Sequence, residues 1–352
     1  MKLLFATNHF YPPQSAGGSE SSTHDLCISL KRKSINCAVL ADLGSTGLTW
    51  LRNRIKSKIT SKKYPDDNTL GYPVFRGWNP IEGVDEVIES FNPNVAVIQA
   101  GQPLLLANAF IQNGIPTVVY LRDVAFDKHG GDYKSHPLLH FLANSQFTAK
   151  AFERFSSLEA KVIPPLVSSE NYRVTPTRQK VVFICPSPLK GVELAFRLAE
   201  SNPEIPFAFI ESWFIPPDRK REYIQRAERS GNIEWMEKQR DMKLVYSQAK
   251  ILLVPSMCNE AWGRVVTESQ VSGIPTLASN RGGLPESVGD GGILLDPEGN
   301  FEKWDESLKK LWFDDHFYQC YCDRALEYSR REAIQPDYLI SEFLDFARSI
   351  QS

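Results

Sequence analysis

At 352 residues the chain is too long for one core and suits two domains at roughly 100 to 200 residues each. Its 42% apolar and 23% charged content excludes wholesale disorder, and 40 basic against 42 acidic residues exclude a global electrostatic footprint for nucleic acid. The six cysteines form no CxxC pair, Leu3-Leu4-Phe5-Ala6 is too short for a signal peptide, and no run reaches the roughly 20 apolar residues of a spanning helix, so a reducing, cytoplasmic setting is expected.

Lys2 to Thr7 is predicted as a buried strand, followed by a loop from Asn8 to Gly18 and a helix from Ser19 to Lys33 capped by Ser19. Cys37 to Asp42 is a second strand, and the apolar runs at Val95 to Gln99 and Thr117 to Leu121 continue the alternation of a doubly wound parallel sheet. From Ile163-Pro164-Pro165 to Pro176 the chain is rich in turn formers, which suits a linker. Alternation then restarts: strands at Val181 to Cys185, Phe207 to Glu211, Ile233 to Met236 and Ile251 to Val254, with a helix from Val192 to Glu200. The expectation is a pair of α/β domains, residues 1–166 and 167–334, with a ligand cleft where the carboxyl ends of their strands meet. The tail, 335–352, places Leu339, Phe343, Phe346, Ala347 and Ile350 on one helical face that needs a cover, expected from the first domain.

The segment from Ile251 to Pro297 carries the chemistry. Its strand ends at Pro255-Ser256, a loop leads to Glu260, and a helix is predicted to open near Gly263 and run through Glu268. Eight helical positions span on the order of 12 Å, less if Glu260 lies in the loop. A helix N-terminus between two carboxylates suits a diphosphate flanked by hydroxyls.

Pro255-Ser256, Glu260-Ala261-Trp262-Gly263, Glu268-Ser269, Gly273-Ile274-Pro275 and Gly282-Gly283-Leu284-Pro285-Glu286 together resemble the signature of the retaining glycosyltransferases of family 4, with Glu260 and Glu268 as its E-x7-E element. The resemblance implies a GT-B fold of two facing Rossmann-like domains, with Glu260 on the transferred sugar and Glu268 on the donor ribose. Pro188-Leu189-Lys190-Gly191 looks like the family's Lys-Gly motif, whose lysine neutralises the donor diphosphate, and Gly17-Gly18-Ser19-Glu20 like the glycine-rich loop of the first domain. Two departures stand out. No arginine precedes Lys190 at the strand end Phe183-Ile184-Cys185-Pro186, which leaves more phosphate charge to Lys190, with Arg264 as a helper. The family's first-domain histidine is replaced by Tyr120-Leu121-Arg122-Asp123; arginine stays protonated, so Asp123 or His129 is the candidate to take the acceptor's proton.

The donor base is expected near the strand end that holds Met236 and Lys238. No DxD element is present, so no metal or other cofactor is expected. The implied reaction moves a sugar, with glucose from UDP-glucose the leading choice and GDP-mannose open, to a saccharide or lipid-linked acceptor. A nucleotide-sugar epimerase and a catalytically silent sugar-nucleotide-binding scaffold are the alternatives.

One further segment stands apart. Arg52, Arg54, Lys56, Lys58, Lys62 and Lys63 cluster within residues 50–63, where Leu51, Ile55 and Ile59 recur at helical spacing beside Trp50. Such a segment either lies on an anionic membrane surface or is a solvated insertion that packs its three apolar side chains; nucleic acid is disfavoured for want of interleaved aromatics.

Overall fold

A computed structural model describes residues 1–15 and 17–351; Ala16, which falls in the segment expected from sequence to be a loop, and Ser352 lie outside them. The chain divides into two compact units, Met1–Leu166 with Gln335–Ser352, and Val167–Ile334.

The first unit is built on β1 (Lys2–Phe10), α1 (Gly18–Arg32), β2 (Asn36–Asp42), α2 (Gly47–Thr60), β3 (Asp66–Asp67), β4 (Val74–Gly77), α3 (Val84–Phe91), β5 (Val95–Ile98), α4 (Pro103–Gln112), β6 (Thr117–Leu121), β7 (Leu139–Ala143), α5 (Gln146–Ser156) and β8 (Lys161–Val162). The eight strands lie in the order β3-β4-β2-β1-β5-β6-β7-β8, parallel except for the β3–β4 pair. Alternate residues of β1 point to opposite faces, and both faces are covered: Leu3 and Phe5 enter one core cluster, Leu4 and Ala6 the other.

The second unit contains β9 (Lys180–Ile184), α6 (Val192–Glu200), β10 (Phe207–Ile210), α7 (Pro217–Ser230), β11 (Ile233–Met236), α8 (Lys243–Tyr246), β12 (Ala249–Val254), α9 (Arg264–Gln270), β13 (Thr276–Ser279), α10 (Leu284–Val288), β14 (Gly292–Leu295), α11 (Phe301–Phe313) and α12 (Asp315–Tyr328). Its six strands run parallel in the order β11-β10-β9-β12-β13-β14. Winding reverses between β9 and β12, the place where an open α/β sheet leaves a crevice at its carboxyl end.

The last helix, α13 (Pro336–Ser349), belongs to the first unit. Leu339, Phe343 and Ala347 enter its core, where Phe343 stacks on Phe5 with ring centroids 6.0 Å apart, and Phe346 and Ile350 pack at the edge.

Two local expectations need correction. The cap of α1 is Gly17, not Ser19, because the Glu20 carboxylate turns back to accept the Gly17 N–H at 3.0 Å and so starts the helix earlier. The apolar side chains of α2 do not pack: Leu51, Ile55 and Ile59 are exposed, and the helix has no buried residue.

Candidate active site

In the second unit the loops after β9 and β12 are joined by their backbones. Met257 and Cys258 donate N–H groups to the Leu189 carbonyl at 2.9 and 3.2 Å. Gly191 sits at φ +78°, and a Cβ there would lie 1.8 Å from the Pro255 carbonyl oxygen, so only glycine lets the two loops approach this closely. The result brings Lys190 and Glu260 together from 70 residues apart, with Lys190 Nζ donating to Glu260 Oε1. Ser256 Oγ donates to the same oxygen at 2.7 Å.

The backbone of Glu260 is fixed as firmly as its side chain. Its carbonyl accepts the Gly283 N–H at 2.6 Å, and Gly282, at φ +61°, passes so near that a Cβ would lie 2.2 Å from that carbonyl. Three separated motifs of the sequence thus converge on one residue, two on its carboxylate and one on its backbone.

Electrostatics follow from this geometry. Lys190 and Glu260 are each about one-sixth exposed, at 17% and 14%. Burial pushes the Lys190 ammonium pKa down, but attraction by Glu260 and its hydrogen bond outweigh burial, and the net shift is upward. Trp213 adds its ring face 4.9 Å from Nζ.

Glu268 is placed differently. Glu260 lies in the loop, while Glu268 is buried within α9, the helix that Gly263 caps at φ +84°. Arg264 Nε donates to Glu268 Oε1 at 2.7 Å and the Tyr246 hydroxyl to Oε2 at 2.8 Å, while Arg264 also donates to the Tyr172 hydroxyl at 2.7 Å. Burial, followed by the nearby Glu268 charge, raises the Tyr246 pKa well above its ordinary value. The two glutamates therefore anchor separate ion pairs, Lys190–Glu260 and Arg264–Glu268. Trp262 is buried, its indole N–H donating to Thr267 Oγ1 at 2.9 Å. At the end of β11, Met236 is half-buried with its sulfur facing Gln248 Nε2 at 3.3 Å, and Lys238 is exposed.

The first unit gathers a second set of polar side chains after β1 and β6. His9, at the end of β1, is 3.2 Å from Glu20 Oε1, and Glu20 is the residue whose other oxygen closes on Gly17. The hydrogen bond that the His9 ring donates to Glu20 raises the His9 pKa above 6.5, against the pull of burial. For Glu20, burial raises the pKa, but the His9 and backbone hydrogen bonds prevail and the net shift is downward. Asp123 and His129, alternatives in the sequence, are direct partners: Nε2 of the buried His129 lies 3.0 Å from Asp123 Oδ1, which also accepts the Ala125 N–H at 2.8 Å. Burial raises the Asp123 pKa, but these bonds outweigh it and hold the group ionised to lower pH. Asp123 is also among the charges that raise the His9 pKa. Arg122 lies over the Tyr120 ring at 3.6 Å and donates to Gln99 Oε1 at 3.0 Å. Neither Gly17 nor Gly18 has a positive φ, and around Gly18 there is open space.

Sequence reasoning missed His9, Trp213 and Tyr246, and took Glu20 only as part of the glycine-rich loop. A histidine at the very end of the first strand, just before a glycine-rich loop, was the available signal for His9.

Comparison with known proteins bears on both units. Residues 187–328 match the family model "Glycosyl transferases group 1", which takes in Lys190, Glu260 and Glu268. A D-inositol 3-phosphate glycosyltransferase of Corynebacterium kroppenstedtii is 42% identical over 77 residues, which are 21% of this chain and 17% of that relative. Spore coat protein SA of Bacillus subtilis is 25% identical over 145 residues, 39% of this chain and 37% of the relative. The chain thus spans well under half the length of these curated relatives. Among solved structures, Anabaena HepE in complex with UDP and glucose is matched over 99% of this chain and 100% of that one, with TM-score 0.78 and 18% identity. WaaG, a glycosyltransferase involved in lipopolysaccharide biosynthesis, is matched over 98% and 99% with TM-score 0.71 and 14% identity. The chain has the GT-B fold of two parallel-sheet α/β domains, and its residues 187–328 match the group 1 glycosyl transferase model.

Proposed function

We propose that the protein is a retaining, metal-independent glycosyltransferase that moves glucose from UDP-glucose to a saccharide or lipid-linked acceptor in the cytoplasm. The observation that carries this reading is the Lys190–Glu260 pair, assembled across the β9–β12 reversal point inside the segment that matches the glycosyl transferase model. The transferase model also favours sugar transfer over epimerisation, and the choice of UDP-glucose is supported by the similar fold of HepE, whose structure holds UDP-glucose.

On this reading the donor diphosphate meets Lys190, with Arg264 and the amides after Gly263 as helpers, while Glu260 accepts hydroxyl protons of the sugar. Glu268 serves the ribose, Trp262 supports the loop between the glutamates, and Met236 and Lys238 border the base. Charge grows on the leaving phosphate as the glycosidic bond breaks, and a fixed ammonium stabilises it without reorganising. The departing phosphate then assists the acceptor on the same sugar face, which retains configuration. In the first unit Gly17 and Gly18 form the backbone that approaches the acceptor, and Asp123, oriented by His129, takes its proton.

A melting panel with UDP-, GDP- and ADP-sugars, followed by turnover with the best ligand, tests the proposal. UDP-glucose at about 100 times its dissociation constant should add roughly 2.7 kcal/mol of stability. NMR should show an α-linked product and Glu260→Ala should abolish turnover. Stabilisation by no sugar nucleotide overturns the reading; binding with turnover no higher than that of Glu260→Ala supports a silent scaffold instead.

A further inference from the structure

Helix α2 is amphipathic in the inverted sense. At 100° per residue, Asn53, Lys56 and Ser57 share one side, and that polar side faces the protein. Asn53 Nδ2 donates to the Arg76 carbonyl at 2.9 Å, Lys56 Nζ to the carbonyl and carboxylate of Asp66 at 2.7 and 3.0 Å, and Ser57 Oγ to the Lys62 carbonyl at 2.7 Å. The opposite side carries Leu48, Leu51, Ile55 and Ile59, which are 71%, 48%, 50% and 77% exposed. Exposed Arg52 and Lys58 flank this stripe on its two edges, with Arg54 beyond Lys58. Among the described residues none of these three forms an ion pair, and no acidic residue occurs between Leu43 and Pro65. The acidic groups that do face the segment, Asp66 on Lys56 and Glu86 on the backbone N–H groups of Lys63 and Tyr64, stand on its protein side.

We propose that α2 is a docking helix for an anionic lipid bilayer. The apolar stripe enters the boundary between headgroups and acyl chains, while Arg52, Lys58 and Arg54 meet lipid phosphates from both sides. Charge complementarity selects this occupant: an apolar strip bordered by cations and free of acids suits a surface that is greasy below and negative above. No helix among the described residues is long and apolar enough to cross a membrane, so α2 would bring the protein to the surface without insertion across it.

Flotation of the full chain with phosphatidylglycerol vesicles tests this, with phosphatidylcholine vesicles alongside. The wild type should float with the anionic vesicles only, and raising salt should release it. Leu51→Ser/Ile55→Ser and Arg52→Glu/Lys58→Glu should each weaken binding by about tenfold or more, without change in melting temperature because none of these side chains is buried. Arg219→Glu/Arg221→Glu on α7, an equal change of charge on exposed residues of the other unit, should bind as the wild type does. Lys56 is a poor probe, since it is held by Asp66. Absence of wild-type binding to anionic vesicles, or undiminished binding by both α2 variants, overturns the proposal. A dimer in sedimentation that Leu51→Ser/Ile55→Ser dissociates, with vesicle binding intact, assigns the stripe to a second copy of the chain instead. Vesicle binding is read without a sugar nucleotide, so it stands or falls separately from the proposed transfer reaction.

Discussion

The two units place charged side chains at the carboxyl ends of parallel strands, yet they hold them differently. In the second unit backbone contacts that only glycine permits fix the loops, and the ion pairs are partly or wholly buried. In the first unit, Gly18 at the start of α1 stands in open space and Gly17 faces only the flexible end of Glu20, and His9 and Asp123 are each half-exposed on the partners that orient them. A locked site suits a ligand whose charge and shape are constant, whereas a solvent-facing site with a titrating histidine suits proton traffic and a variable ligand.

The largest expected effect strikes the locked side. Glu268→Ala takes away the carboxylate facing the buried Arg264 guanidinium, and urea unfolding should show a loss of about 3–5 kcal/mol. A loss under about 1 kcal/mol would mean that water reaches this pair as freely as a surface one. Next, Lys190→Ala should lower the initial transfer rate by roughly 10²–10³-fold, about 2.7–4 kcal/mol of barrier. The glycines supply the sharpest contrast. Gly191→Ala should destabilise by about 3 kcal/mol, because its Cβ would collide with backbone that cannot swing away, while Gly18→Ala should change the melting temperature little or raise it slightly. Equal effects at the two positions would erase the distinction drawn between the units.

The smallest effect is a pH dependence. The His9 pKa is raised above 6.5, so its contribution to stability is complete below that value and is lost as pH rises through the folded-state pKa. The Glu20 pKa is lowered below 4.5, so its contribution is complete above that value and is lost as pH falls through the folded-state pKa. Stability from this pair should therefore be greatest between 4.5 and 6.5 and decline above it. His9→Gln should remove the decline on the alkaline side, as read from melting curves collected from pH 5 to 9.

The same contrast explains what the sequence disclosed. Strands such as Thr117–Leu121 and the Ile251–Val254 stretch of β12 were legible because both faces of each sheet are covered there, which demands continuous apolar runs. Lys190 and Glu260 were legible because each sits in a short motif whose glycine is required by backbone geometry. Their mutual contact was not, since it depends on β9 and β12 being neighbours in the sheet. The burial of Glu268 against Arg264 and Tyr246 was likewise hidden: an i, i+4 Arg–Glu pair reads the same on a wet helix as on a dry one. The pairing of His9 with Glu20 escaped notice because it joins residues eleven positions apart with no periodic signal. The direction of the α2 stripe was left open between packing and a membrane surface, because spacing alone records an apolar face, not which way it points.

Helix α13 gives the molecule an order of assembly. During synthesis the strands of the first unit leave the ribosome well before Leu339, Phe343 and Ala347, and the whole of Val167–Ile334 is made in between. The greasy side of β1 and β5 that these residues later seal, with Leu3, Phe5, Val95 and Val97, waits unsealed through that interval, while the intervening unit has all of its own strands in one stretch and can mature first. Of the two units, the one whose strands are made first is thus completed last, once α13 has emerged.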